Sequence, residues 1–96
     1  MPSTTMSNRF HYVYVLESQK DGNRYIGLTD DLRKRVSEHN SGKSFATRPR
    51  RPLQLIYYEA CLSEVDARRR EHYFKVTGGR RFLAKRLRDY LFNSTL

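Results

Sequence analysis

Hydrophobic and polar positions along the chain change period several times, and each change marks an element. From Phe10 to Glu17 (FHYVYVLE) nearly every residue is aromatic, β-branched or aliphatic, the composition of a strand. Its alternation gives one face of Phe10, Tyr12, Tyr14 and Leu16 and another of His11, Val13, Val15 and Glu17. Asp21-Gly22 supplies a turn, and Arg24 to Leu28 (RYIGL) reads as a second strand, close enough to make an antiparallel hairpin. The pattern then turns helical. Thr29-Asp30-Asp31 offers a capping side chain followed by acid for the first turn, and Ser41-Gly42 stops the helix after Asn40. Residues 42–52 (GKSFATRPRRP) read as a loop. Leu53 to Ala60 (LQLIYYEA) is apolar on both faces, which predicts a central third strand. Ser63 with Asp66 resembles a capping box opening a second helix to Thr77, with Gly78-Gly79 as its breaker. A third helix, Arg80 to Phe92, sets Leu83, Leu87, Tyr90 and Leu91 on one stripe and Arg81, Lys85 and Arg88 on another. The predicted fold is α/β in the broad sense, more strictly α+β: a small three-stranded antiparallel sheet packed by three helices, in the order ββαβαα. Residues 1–9 are expected to be a flexible lead-in, 10–92 a single domain and 93–96 a tail.

Two helices carry polar groups on faces that should point inward. In the first, Leu32 and Val36 mark the buried stripe, and Arg35 and His39, four residues apart, lie along one edge of it. Lys34, Ser37 and Glu38 should face water. Arg35 could simply lay its stem over the core edge, and His39 could simply pack there. In the second helix, Ala67, Arg70, Glu71 and Phe74 share one stripe, while Val65, Arg69, His72 and Val76 form a competing one. Periodicity does not rank the two. If Glu71 faces inward, its carboxylate needs a cation, either an arginine or a divalent metal.

Charge changes the picture. The 96 residues hold 19 Lys and Arg against 10 Asp and Glu, a net charge of +9 and a pI near 10.1. A field of that sign draws polyanions, nucleic acid first among them. Cys61 is alone, so neither an internal disulfide nor a cysteine-based zinc site is available, and His11, His39 and His72 lack the spacing of a structural zinc site. No apolar run has the length of a membrane span, so a cytoplasmic protein with no membrane partner and no obligate protein partner is expected.

Tyr14 and Tyr25, one on each strand of the hairpin, gain meaning from Arg35, His39 and Glu71. Together they resemble the GIY-YIG endonuclease superfamily. Tyr12-Val13-Tyr14 stands for the first element and Tyr25-Ile26-Gly27 is a literal YIG. Arg35 follows the second tyrosine by ten residues, RKRVSEHNSGK matches the family's arginine and then His-Asn, and RRREHYFK looks like the helix that supplies a metal ligand. The resemblance runs from Phe10 to about Tyr90 and is closest to small free-standing bacterial members, related to a catalytic domain of the excision-repair nuclease. Two departures stand out. Tyr12 replaces the glycine of GIY, as free-standing members commonly have it, and Leu83 occupies the place where several relatives carry an asparagine.

The resemblance implies a DNA endonuclease, in repair or recombination, with Tyr14, Tyr25, Arg35, His39 and Glu71 as its catalytic set. It assigns Glu71 to one divalent metal, Mg²⁺ or Mn²⁺, completed by waters. Arg35 would hold the scissile phosphate. Tyr14 or Tyr25 would contact the water or the phosphate, and His39 would take or orient a proton; the general base stays open among them. Lys43, Phe45, Arg48, Arg50 and Arg51, in the loop after the first helix, suit backbone contact with base stacking, as single-stranded or branched DNA offers more readily than duplex. A solvated bystander loop is the alternative for those five. Two rivals remain: a catalytically silent nucleic-acid-binding module on the same fold, and a basic ribosome-associated protein.

Overall fold

The structure, a computed structural model, describes residues 9–94. The lead-in expected over residues 1–9 and the end of the expected tail lie almost wholly outside the described residues. Strands β1 (His11–Ser18), β2 (Arg24–Thr29) and β3 (Leu53–Cys61) form one antiparallel sheet in the order β2-β1-β3. The helices are α1 (Leu32–Asn40), α2 (Glu64–Phe74), α3 (Thr77–Arg86) and α4 (Arg88–Ser94), with a short 3₁₀ turn at Arg48–Arg50. The ββαβαα order and the α+β class are as expected, with the final helical stretch in two segments. Among the described residues, no helix is long and apolar enough to cross a membrane.

β1 is the central strand, not β3. Its residues Val13, Tyr14, Val15 and Leu16 are all buried, because helices cover both faces of the sheet. On one face Tyr14, Leu16 and Leu53 pack with Leu32 and Val36 of α1. On the other, Val13 and Val15 pack with Ala67 and Phe74 of α2, Leu83 of α3 and Leu87. β3 reads as apolar on both sides for the same reason, while its outer edge leaves Tyr58 half exposed. A register irregularity where Val15 and Leu16 face β3 adds one residue to that strand.

The helix starts and stops differ in instructive ways. Asp31, rather than Thr29, caps α1 by accepting from the Lys34 amide, and Thr29 Oγ1 accepts from the Asp31 amide just before it. Ser63 caps α2 through the Asp66 amide, as its sequence suggests. The glycine pair does not break α2. That helix ends at Phe74, and Gly78 and Gly79 lie in the first turn of α3. Gly79 is there for packing: a Cβ on it would overlap the Tyr73 carbonyl group and lie only 2.7 Å from Phe74 Cα. At Leu87 the chain bends without losing its helical bonding, since the Leu87 amide donates to Leu83 and the Leu91 amide to Leu87.

Candidate functional site

The hairpin register determines which side chains can meet. Tyr14 lies opposite Gly27, and Leu16 opposite Tyr25, so Tyr14, Tyr25 and Gly27 share the face covered by α1. With no side chain at Gly27, the Tyr14 ring settles onto the β2 backbone: a Cβ there would overlap Tyr14 Cζ and its hydroxyl oxygen and lie 2.9 Å from Cε1. The glycine of YIG is thus a space requirement for the tyrosine across from it.

His39, in the last turn of α1, is fully buried on this face. Its ring centroid stands 5.7 Å from that of Tyr14 and 5.0 Å from that of Tyr25, and the two tyrosines are 6.3 Å apart. Both ring nitrogens are used. Nε2 lies 2.8 Å from the Tyr14 hydroxyl and Nδ1 2.7 Å from Thr47 Oγ1. Burial, reinforced by the Arg35 charge, holds the His39 pKa below its ordinary value, which keeps the imidazole neutral. A neutral ring with two partners can pass one proton. With Nδ1–H donating to Thr47, Nε2 accepts from the Tyr14 hydroxyl. Burial raises the Tyr14 pKa, against the pull of nearby Arg35, so the resting phenol keeps its proton.

Arg35 sits at the rim. Its NH1 donates to Glu38 at 3.0 Å, so Glu38 is half buried beside it rather than turned to water. The guanidinium acts on the Tyr14 hydroxyl electrostatically, short of a well-formed hydrogen bond.

Glu71 arrives from the helix layer on the opposite face. Of the two candidate stripes of α2, the one with Ala67, Arg70, Glu71 and Phe74 turns inward, and Val65, Arg69, His72 and Val76 are exposed. Arg70 is taken up structurally: its Nε and NH2 donate to the two Glu59 oxygens at 2.8 and 3.0 Å, and it stacks over Phe74 and Phe82. Glu71 has no such partner. Its side chain is 24% exposed and one oxygen, Oε2, accepts from Lys75 Nζ at 3.1 Å. A surface pair of that kind contributes about 0–1 kcal/mol and is easily exchanged. After burial, the Arg35 interactions and the Tyr25 charge, the Glu71 charge adds the smallest influence on the Tyr14 pKa, and it raises it.

Among the described residues, no group of three or more His, Cys, Asp or Glu could by itself cage a metal. A lone, partly exposed carboxylate with one oxygen unengaged does suit a hard cation that keeps most of its waters, as Mg²⁺ does. Leu83, the second departure from the family pattern, is buried in the core.

The structure does not bring the five loop residues onto one surface: Arg50 bonds toward the hairpin while Phe45 and Arg48 lie side by side. Phe45 is 84% exposed, Lys43 is exposed, and the Arg48 guanidinium stands 5.9 Å from the Phe45 ring centre. Arg48 Nε donates to the Gly42 carbonyl and Arg51 Nε to the Arg48 carbonyl, so both arginines help to shape the loop. Arg50 turns the other way, its NH2 donating to the Arg24 carbonyl. Ser44 and Thr47 are buried, so these two side chains tie the segment 42–52 to the domain. Thr47 is not legible in the sequence: nothing in its spacing marks it, and only the folding back of the loop brings it to His39.

The GIY-YIG catalytic domain matches residues 10–86 of this chain. A UPF0213 protein of Bacillus pumilus is 45% identical over 71 residues, 73% of this chain and 71% of that protein. A UPF0213 protein of Haloquadratum walsbyi is 42% identical over 69 residues, 71% of this chain and 76% of its own length. The solution NMR structure of a UPF0213 protein from Bacillus halodurans superimposes with a TM-score of 0.50 at 36% identity, over 81% of this chain and 84% of that one.

Proposed function

Because this chain belongs to the GIY-YIG catalytic domain family, we propose that it is a metal-dependent DNA endonuclease acting in repair or recombination. The observation that carries this reading is a single one. A buried Tyr14 hydroxyl rests on a neutral imidazole, within electrostatic reach of one guanidinium and one carboxylate.

Each group has a chemical part. His39 accepts the Tyr14 proton at Nε2 while Thr47 keeps the ring oriented through Nδ1. Tyr14 takes a proton from the attacking water as it hands its own to Nε2, one coupled transfer with no free phenolate, which makes Tyr14 the general base and His39 its proton store. Arg35 holds the scissile phosphate with nitrogens not given to Glu38 and offsets charge on its oxygens. Tyr25, against the His39 ring, closes the wall beside the phosphate. Glu71 would hold one Mg²⁺ or Mn²⁺, which when bound supplies positive charge for the phosphoryl oxygens and the departing oxygen. Phe45 offers a ring on which an unpaired base can stack, with Lys43, Arg48 and Arg51 near the backbone. Single-stranded and branched DNA are therefore favoured over duplex.

Incubating the purified protein with labelled single-stranded, branched and duplex DNA, in Mn²⁺ or in EDTA, tests the reading. Cleavage that requires the metal supports it. Binding without cleavage under every metal condition would leave a silent binding module on the same fold.

A further inference from the structure

Resting on the nuclease reading, we propose that a second region, which the loop borders only through Arg50, carries the substrate strand. It is the cleft between the end of the hairpin and helices α2 to α4, with Arg24 and Arg80 as its phosphate contacts. The cleft has a volume of about 1140 Å³ and four cations in its walls: Arg24 of β2, Arg50, Lys75 at the end of α2 and Arg80 of α3. Its two carboxylates are already engaged. Glu17 accepts a 2.6 Å hydrogen bond from the Tyr90 hydroxyl, and Asp21 accepts from the Asn23 amide and lies 4.0 Å from Arg50 Nε.

The cations are not all equivalent. Lys75 pairs with Glu71, and Arg50 is fixed by the Arg24 carbonyl with its Nε buried and without a hydrogen-bond partner. The Arg24 and Arg80 guanidinium groups form no hydrogen bond or ion pair among the described residues, and both residues line the cleft. Phosphate oxygens are the acceptors that match such donors. Position identifies the occupant as a nucleic-acid strand rather than a small anion. The cleft shares Tyr25 with the candidate catalytic face, and Lys75 joins it to Glu71. A strand whose phosphates run past Arg80 and Arg24 therefore leads directly to the Tyr14 and Arg35 side. The loop arginines Arg48 and Arg51 give their Nε donors to backbone carbonyls and should contribute less.

The experiment is fluorescence anisotropy of a short labelled single-stranded oligonucleotide in EDTA, with the full chain, over a series of salt concentrations. For Arg24→Gln/Arg80→Gln the slope of log affinity against log salt should become shallower by about 1.4, at about 0.7 per lost contact. Arg48→Gln/Arg51→Gln should change it less. An unchanged slope for Arg24→Gln/Arg80→Gln, in protein with the wild-type circular dichroism spectrum and melting temperature, overturns the proposal. Should the double variant not fold, Arg80→Gln alone, at an exposed position of α3, should lose about 0.7, and no loss again overturns it. The binding assay is independent of cleavage. A wild-type protein that never cuts removes the nuclease reading but leaves a slope loss in support of the track; an unchanged slope in a protein that cuts removes the track alone.

Discussion

Tyr14 and Gly27 are cross-strand partners in which the glycine exists to make room for the tyrosine. An alanine Cβ at Gly27 would overlap the Tyr14 ring, lying 2.9 Å from Cε1 and closer still to Cζ. Gly27→Ala should displace the ring, break its bond to His39 Nε2 and cost about 1–3 kcal/mol of stability through overpacking. Cleavage should fall by about 10²-fold, as expected when a reacting group moves by an ångström. Urea denaturation and a nuclease assay on the same sample measure both. Wild-type values for both would mean that the tyrosine is not held by this contact.

The buried imidazole makes a pH prediction. His39 has a folded pKa below its ordinary value, so at low pH the unfolded chain takes up the proton more readily than the folded one. The stability this contributes is fully present above about pH 6.5 and is lost as pH falls through the folded value. NMR titration should show the His39 ring protonating below pH 6.5, the ordinary value from which it is lowered. Urea midpoints should fall as pH drops from about 6.5 to 5 in the wild type and less in His39→Gln. Equal losses in both proteins would assign the effect to other groups.

Much of this is legible in the sequence because it is local. The β1–β2 hairpin, the Ser63 cap and the inward edge of α1 follow from alternation, turn residues and helical spacing. What escapes depends on contacts between elements. The residues of β3 are apolar on both sides and so suggest a central strand, yet the cause is helices on both faces of the sheet. Periodicity leaves the inward stripe of α2 undecided; the fold settles it by giving Arg70 to Glu59 and leaving Glu71 without an arginine. Helical spacing puts His39 at the core edge, but its pairing with Thr47 requires a loop of solvated composition to fold back onto it. Asp31 takes the cap from Thr29 because the helix begins two residues later, at Leu32, which puts the Lys34 amide within reach of the Asp31 carboxylate.

The glycine pair at the α2–α3 corner separates two effects that look alike in the sequence. Gly79→Ala would drive a Cβ into the Tyr73 backbone and should destabilise by at least about 1–3 kcal/mol. Gly78→Ala meets only the Tyr73 ring, at 3.4 Å, and should be neutral or stabilising by up to about 1 kcal/mol, since alanine favours the helix. Thermal melts of the two variants make the comparison. Equal effects would contradict the packing described for Gly79.

Phe45 offers a test of substrate form. Its ring is 84% exposed and makes no contribution to the core. Phe45→Ala should leave the melting temperature unchanged and weaken single-stranded DNA by about 1–3 kcal/mol, with little effect on duplex. Equal losses on the two substrates would mean that the ring touches only the backbone.

Glu71 is proposed to serve the reaction and not the fold or the affinity. Glu71→Gln keeps the shape of the side chain and removes its charge, and the only bond at stake within the described residues is the exposed pair with Lys75. The most direct measurement sets its Mn²⁺-dependent cleavage of single-stranded DNA beside its binding of the same strand in EDTA. Cleavage should fall by more than about 10²-fold, with binding at least as tight as wild type. Cleavage at the wild-type rate would contradict it.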